Sequence, residues 1–183
     1  TTMIVSSGNN YNKGKKQESE SFTYLQNVGY VNVPPGTEGK YRKNIQEAFA
    51  NNNRKINQTG FDCVETWVSN IWHDVDALTK AIKENKIILY EVKSSSTTRQ
   101  KPIKENWQGL GFTYTIGENN NWEALGDEFY KFIFVDCMRK RHIVLHRDDW
   151  FETRSSPSIT YSVNIRQGGP EFVNRETMKE NKK

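Results

Sequence analysis

The chain has 183 residues, 34% of them hydrophobic and 12% aromatic, which is enough apolar material for one ordinary domain with a buried core and excludes wholesale disorder. Its formal charge is +4, from 26 Lys and Arg against 22 Asp and Glu, an excess compatible with a polyanionic partner but not demanding one. Cys63 and Cys137 form neither a CxxC pair nor a zinc spacing, no run approaches the roughly eighteen apolar residues of a membrane span, and no signal-peptide pattern opens the chain, so a cytoplasmic protein is expected.

Residues 1–21 and 174–183 are polar and mixed in charge and read as flexible tails around a single domain, 22–173. Residues 24–36 read as a short extended piece stopped by Pro34, Pro35 and Gly36. The spacing of Tyr41, Ile45, Ala48 and Phe49 predicts a helix over 37–53, with Thr37 able to cap its start and an Asn run ending it. Residues 60–82, rich in Val, Ile and Trp, read as mostly strand. Residues 86–94 are apolar on both faces and predict a central strand of a sheet covered on both sides. A short helix is expected over 120–129 and two strands over 130–137 and 142–151, with a basic turn at 138–141. The segment 158–172 reads as a strand and turn that could read bases or form a dimer contact. The class is a mixed α/β (α+β) domain around a single mixed β-sheet flanked by helices.

Chemistry concentrates at Glu91-Val92-Lys93. Four Glu-x-Lys triplets occur in the chain, and only this one ends a predicted apolar strand. Strand alternation puts Glu91 and Lys93 on one face and Val92 on the other. If residues 72–81 and 86–94 form a hairpin turning at 82–85, then Leu78 faces Leu89, Asp76 faces Glu91 and Asp74 faces Lys93. A shift of two residues would bring Asp74 opposite Glu91 instead. Two facing carboxylates call for a neutralising cation, and Mg²⁺ (or Mn²⁺) held by Asp76 and Glu91 is expected, with Lys93 orienting a water for attack on a phosphodiester. The hydroxyls from Ser94 and Ser95 to Thr98, followed by Arg99 and Lys101, suit phosphate contacts, as does the basic turn of Arg139, Lys140 and Arg141. The bland alternative is a surface ion pair at a strand end.

An acid on one strand followed by Glu-x-Lys on the next resembles the PD-(D/E)XK nuclease superfamily, which includes type II restriction endonucleases. The resemblance covers roughly residues 36–147. It implies a restriction-endonuclease-like core of helix, three-stranded meander, second helix and further strand. It also implies Glu38 as an additional acid at the metal site, since Glu38 shares the inward face of Tyr41, Ile45 and Phe49. The function it implies is Mg²⁺-dependent hydrolysis of double-stranded DNA by a restriction or defence endonuclease, often as a homodimer. Here no proline precedes Asp76, and fifteen residues separate Asp76 from Glu91. Two alternatives stand beside it: a catalytically weak nucleic-acid-binding subunit of the same fold, and an RNA endonuclease of the cap-snatching type, which His73 would favour. His142 and His146 share a strand face but lie too far apart for one zinc ion, and Cys137 reads as core. Trp107 and Phe112 could line a substrate groove.

Overall fold

The run Leu89-Tyr90-Glu91-Val92-Lys93-Ser94-Ser95 organises the molecule, because both of its faces find apolar cover. In the computed structural model, which describes residues 19–33, 40–65, 70–95, 101–107 and 110–145 and the backbone of two later strands, this run is the middle strand of a five-stranded mixed sheet. In chain order the elements are α1 (19–27), β1 (Tyr30–Asn32), α2 (Tyr41–Ala50), β2 (Cys63–Glu65), α3 (Val75–Lys83), β3 (Leu89–Ser95), β4 (Gly111–Thr115), α4 (Ile116–Phe129), β5 (Tyr130–Asp136), β6 (Arg141–Leu145), β7 (Trp150–Ser155) and β8 (Thr160–Ile165). The main sheet runs β1-β2-β3-β5-β6, antiparallel except for the parallel β3–β5 pair. Helix α4 makes the crossover that a parallel pair requires.

One face of this sheet packs under α2, α3 and α4 through Phe49, Leu78, Ile82, Leu89, Trp122, Phe132 and Phe134. The other face, with Tyr90, Ile133, Val135 and Val144, is covered by Leu25 of α1. The expectation of a central strand buried on both sides therefore holds, as does the mixed α+β class. The single sheet does not: β4, β8 and β7 form a second, three-stranded antiparallel sheet. Helical residues 19–27 also replace part of the expected tail and extended piece, and Ser21 and Leu25 are buried there.

The largest correction concerns residues 72–95. They form no hairpin, because residues 75–83 are helix α3. Leu78, Ala81 and Ile82 recur at helical spacing and are buried, and the Asp74 carboxylate caps the first turn by accepting from the Ala77 amide at 3.0 Å. Asp76 near the start and Lys80 and Lys83 near the end complement the helix dipole. The helix over 37–53 is confirmed within Tyr41–Ala50, but its N-cap is Lys40 in a left-handed conformation. Thr37 and Glu38 lie outside the described residues. The short helix at 120–129 begins earlier, at Ile116, where Thr115 and Glu118 form a reciprocal capping box. No helix among the described residues is long and apolar enough to cross a membrane.

Candidate functional site

Antiparallel pairing of β2 with β3 sets Cys63 opposite Tyr90 and Val64 opposite Leu89. Just before that pairing begins, Asp62 brings its carboxylate into hydrogen-bonding contact with Glu91. The backbone fixes Asp62 on both sides: its amide donates to the Tyr90 carbonyl at 2.7 Å, and its carbonyl accepts from the Val33 amide at 2.8 Å. Its side-chain Oδ2 accepts from the Val92 amide at 2.8 Å. The partner acid expected of Asp76 is thus supplied by Asp62. Asp76 and Asp74 are exposed at the start of α3, and neither is among the charges acting on Glu91.

Glu91 and Lys93 do share a face, as alternation requires, and Lys93 lies 3.7 Å from the Glu91 carboxylate. Its nearer partner is Glu118 of α4, whose two carboxylate oxygens accept from Nζ at 2.6 and 3.0 Å. Lys93 Nζ also sits 5.7 Å from the centre of the Phe132 ring, beside Glu91 in the β3–β5 register. Three carboxylates and one ammonium thus meet in a site with little access to water; the side chains of Glu91, Lys93 and Glu118 are 13%, 18% and 5% exposed. Burial drives the Glu91 carboxyl well above the ordinary range. The charges of Asp62 and Glu118 push the same way, Lys93 opposes them, and a hydrogen bond with Asp62 adds to the rise.

A scaffold around these acids keeps them in place. Arg42 is buried on α2 and donates to the carbonyls of Phe61 at 2.6 Å, Gln58 at 3.2 Å and Val33 at 3.3 Å, which pins the approach to Asp62. Desolvation lowers its proton affinity, while Asp62 and Glu91 act to raise it. On the other side the segment 57–60 is clamped to α4: Asn121 accepts from the Asn57 amide at 2.8 Å and donates to the Thr59 carbonyl at 2.9 Å. The Tyr130 hydroxyl donates to the Gly60 carbonyl. That phenol is driven well above its usual value by burial first, then by Glu91, Glu118 and Asp62. Gly60 has φ +90°, and a Cβ there would lie 3.0 Å from Asn121 Nδ2.

Most of the expected phosphate contacts fall elsewhere. Ser94 projects from the face opposite Glu91 and Lys93, and Ser95, although on their face, is buried with its hydroxyl unpartnered. Arg99 and Thr98 lie outside the described residues, and Lys101 is exposed. Arg139 and Lys140 are exposed on the β5–β6 turn. Arg141 is a structural residue: it pairs with buried Asp136 at 3.0 Å, donates to the carbonyls of Lys104 and Glu105 at 2.7 and 2.8 Å, and stacks 4.0 Å above the Trp107 ring. Trp107 is consequently core, not groove lining. His73 is exposed and packs edge-on against Tyr41, and buried His142 meets the Tyr24 hydroxyl at 2.7 Å, while His146 lies outside the described residues. Cys137 is buried at the end of β5, as expected, with its thiol raised to about 11 by burial and then by Glu20 and Asp136.

Two residues escaped the sequence reading, and each carried a signal. Asp62 follows a turn glycine and opens an apolar strand, in Gly60-Phe61-Asp62-Cys63-Val64. Glu118 completes the capping signature Thr115-x-x-Glu118 before a helix. Among the described residues no three His, Cys, Asp or Glu side chains close into a ready-made cation cage. Asp62 and Glu91 nevertheless supply two hard oxygen donors and a surplus of negative charge. Magnesium is commonly held by one or two carboxylates with water completing the shell, so this donor set fits it. No protein-family model, curated protein or solved structure matches the chain.

Proposed function

We propose that the chain is a metal-dependent endonuclease that hydrolyses phosphodiester bonds of double-stranded DNA, with a PD-(D/E)XK-like site formed by Asp62, Glu91 and Lys93. The observation that carries this reading is the meeting of the Asp62 and Glu91 carboxylates at the end of the β2–β3 pairing, with Lys93 two residues on and on the same face as Glu91. The order β1-β2-β3-β5 with α4 between β3 and β5 further supports a restriction-endonuclease-like core. A cytoplasmic restriction or defence role, acting as a homodimer, is the biology this reading favours.

Asp62 and Glu91 would hold Mg²⁺, or Mn²⁺ in its place. Bound there, the ion supplies Lewis-acid polarisation of the phosphoryl oxygen and a more acidic water. The protein's own part is to keep the two carboxylates aimed at one point. Asp62 is fixed through the Val92 amide and the Tyr90 carbonyl, and Glu91 through its place in the sheet. Lys93 contributes a positive charge beside the position where an attacking water would stand, and the neighbouring Phe132 ring limits access of bulk solvent. Lys101 and Lys140 are exposed and available to a phosphate backbone, while Arg139, also exposed, pairs with Asp136 at 3.5 Å.

The test is cleavage of supercoiled plasmid and of RNA by the purified protein, in Mg²⁺ and in EDTA, beside the Glu91→Gln variant. Mg²⁺-dependent nicking or linearisation of DNA that the variant lacks supports the reading. Cleavage of RNA alone would move the substrate to RNA. No cleavage of either would replace the enzyme with a nucleic-acid-binding subunit.

A further inference from the structure

An ammonium group has three protons to donate. At Lys93, two of them are directed at the two oxygens of Glu118, at 2.6 and 3.0 Å, while Glu91 stands off at 3.7 Å. Glu118 is itself held. It occupies the third position of α4, its amide donates to Thr115 Oγ1 at 3.1 Å, and its Oε2 accepts from the Thr115 amide at 3.4 Å. The side chain is only 5% exposed and lies in the first turn, where the helix dipole favours a negative charge. A flexible lysine is thereby gripped by a carboxylate with little freedom of its own. Thr115 ends β4 in the second sheet, so the same residue joins that sheet to the catalytic strand.

We propose that Glu118 is the positioning residue of Lys93. It fixes the ammonium beside Glu91 with one proton left to direct at the reacting phosphate or water, and it ties that placement to the junction of β4 and α4. This inference rests on the nuclease reading above.

Glu118→Gln separates positioning from folding, because glutamine serves a capping box as glutamate does but offers one acceptor oxygen and no charge. Outer-shell partners of this kind are typically worth 10–100-fold. With plasmid as substrate at saturating Mg²⁺, kcat of Glu118→Gln is expected to fall about 10–100-fold with KM within about twofold of wild type. Glu123→Gln, which removes a carboxylate from the exposed side of the same helix, is expected to leave kcat within about twofold of wild type. In metal-free protein, the lysine side-chain ¹H–¹⁵N spectrum should show a slowly exchanging ammonium signal that is lost in Lys93→Met and in Glu118→Gln. Wild-type kcat in Glu118→Gln, or survival of that signal, overturns the positioning role while leaving the nuclease reading intact. A wild-type protein that cleaves nothing overturns both.

Discussion

Replacing Glu91 with Gln should make the metal-free protein more stable. Ionising Glu91 beside Asp62 sets two negative charges against each other, worth about 3 kcal/mol for charges roughly 5 Å apart at an effective dielectric near 20. Glu118 adds a second repulsion, Lys93 offsets part of the total, and desolvation of a side chain only 13% exposed outweighs each of these. The substitution does not strand Lys93, whose closer partner is Glu118. Allowing for an imperfect isostere, a net gain of about 2 kcal/mol is expected, or about 4–8 °C in melting temperature for a chain of this length. The pH dependence gives a second signature. A carboxyl raised in the native state binds a proton that the unfolded chain releases, so stability is greatest below the ordinary glutamate range. It declines as pH rises through that range toward the raised native value, and then levels off. Glu91→Gln removes that decline. Thermal melts in EDTA across pH 4–8 measure both effects. Mg²⁺ should reverse the order, since ligand at a hundred times its dissociation constant stabilises by about 2.7 kcal/mol and only the wild type would bind it. A variant that melts below wild type in EDTA, or that gains as much from Mg²⁺, would falsify the assignment of Glu91 as a strained metal-site acid.

Four further substitutions probe the scaffold and the surface. Gly60→Ala combines a positive φ with a 3.0 Å approach to Asn121, and a loss of about 1–2 kcal/mol in urea unfolding is expected; an unchanged midpoint would show that the loop can relax. Arg42→Met leaves the Phe61 carbonyl without its 2.6 Å donor and should cost about 3 kcal/mol by the same assay, with a wild-type curve counting against a buried clamp. Arg141→Ala removes the nearer cation from Asp136, which is 1% exposed and keeps only the longer 3.5 Å pair with Arg139, and should cost about 2 kcal/mol, whereas Lys140→Ala should leave stability unchanged and weaken DNA binding in a salt-dependent way. Equal stability of the last two variants would contradict the structural role of Arg141.

The parts of this fold legible in the sequence are those with a strong local period. β3 announces itself through the apolar run Ile87-Ile88-Leu89-Tyr90 that leads into it, β5 through Phe132-Ile133-Phe134-Val135, and the Tyr41–Ala50 helix through its buried stripe of Ile45, Ala48 and Phe49. Glu91 and Lys93 were readable because alternation on a strand is a geometric necessity. The second acid was misplaced for a physical reason. Residues 75–83 contain Val, Leu, Thr and Ile, which suit a strand, yet the Asp74 cap and the spacing of Leu78, Ala81 and Ile82 favour a helix, and packing on α2 settles it. Once that segment is helical, the strand beside β3 must come from further back, and Asp62 takes the place assigned to Asp76. Glu118 was invisible as a site residue because its meeting with Lys93 depends on how α4 crosses the sheet, which no local pattern encodes.

Side-by-side plasmid cleavage by Asp62→Asn and Asp76→Asn at saturating Mg²⁺ most directly tests the site. Loss of one of two cation-holding carboxylates should cost Asp62→Asn about a thousandfold or more, equivalent to about 4 kcal/mol of barrier. Asp76→Asn, altered on the exposed first turn of α3, should cleave within about twofold of wild type. The opposite result, an active Asp62→Asn and an inactive Asp76→Asn, would contradict a site built on Asp62 and Glu91.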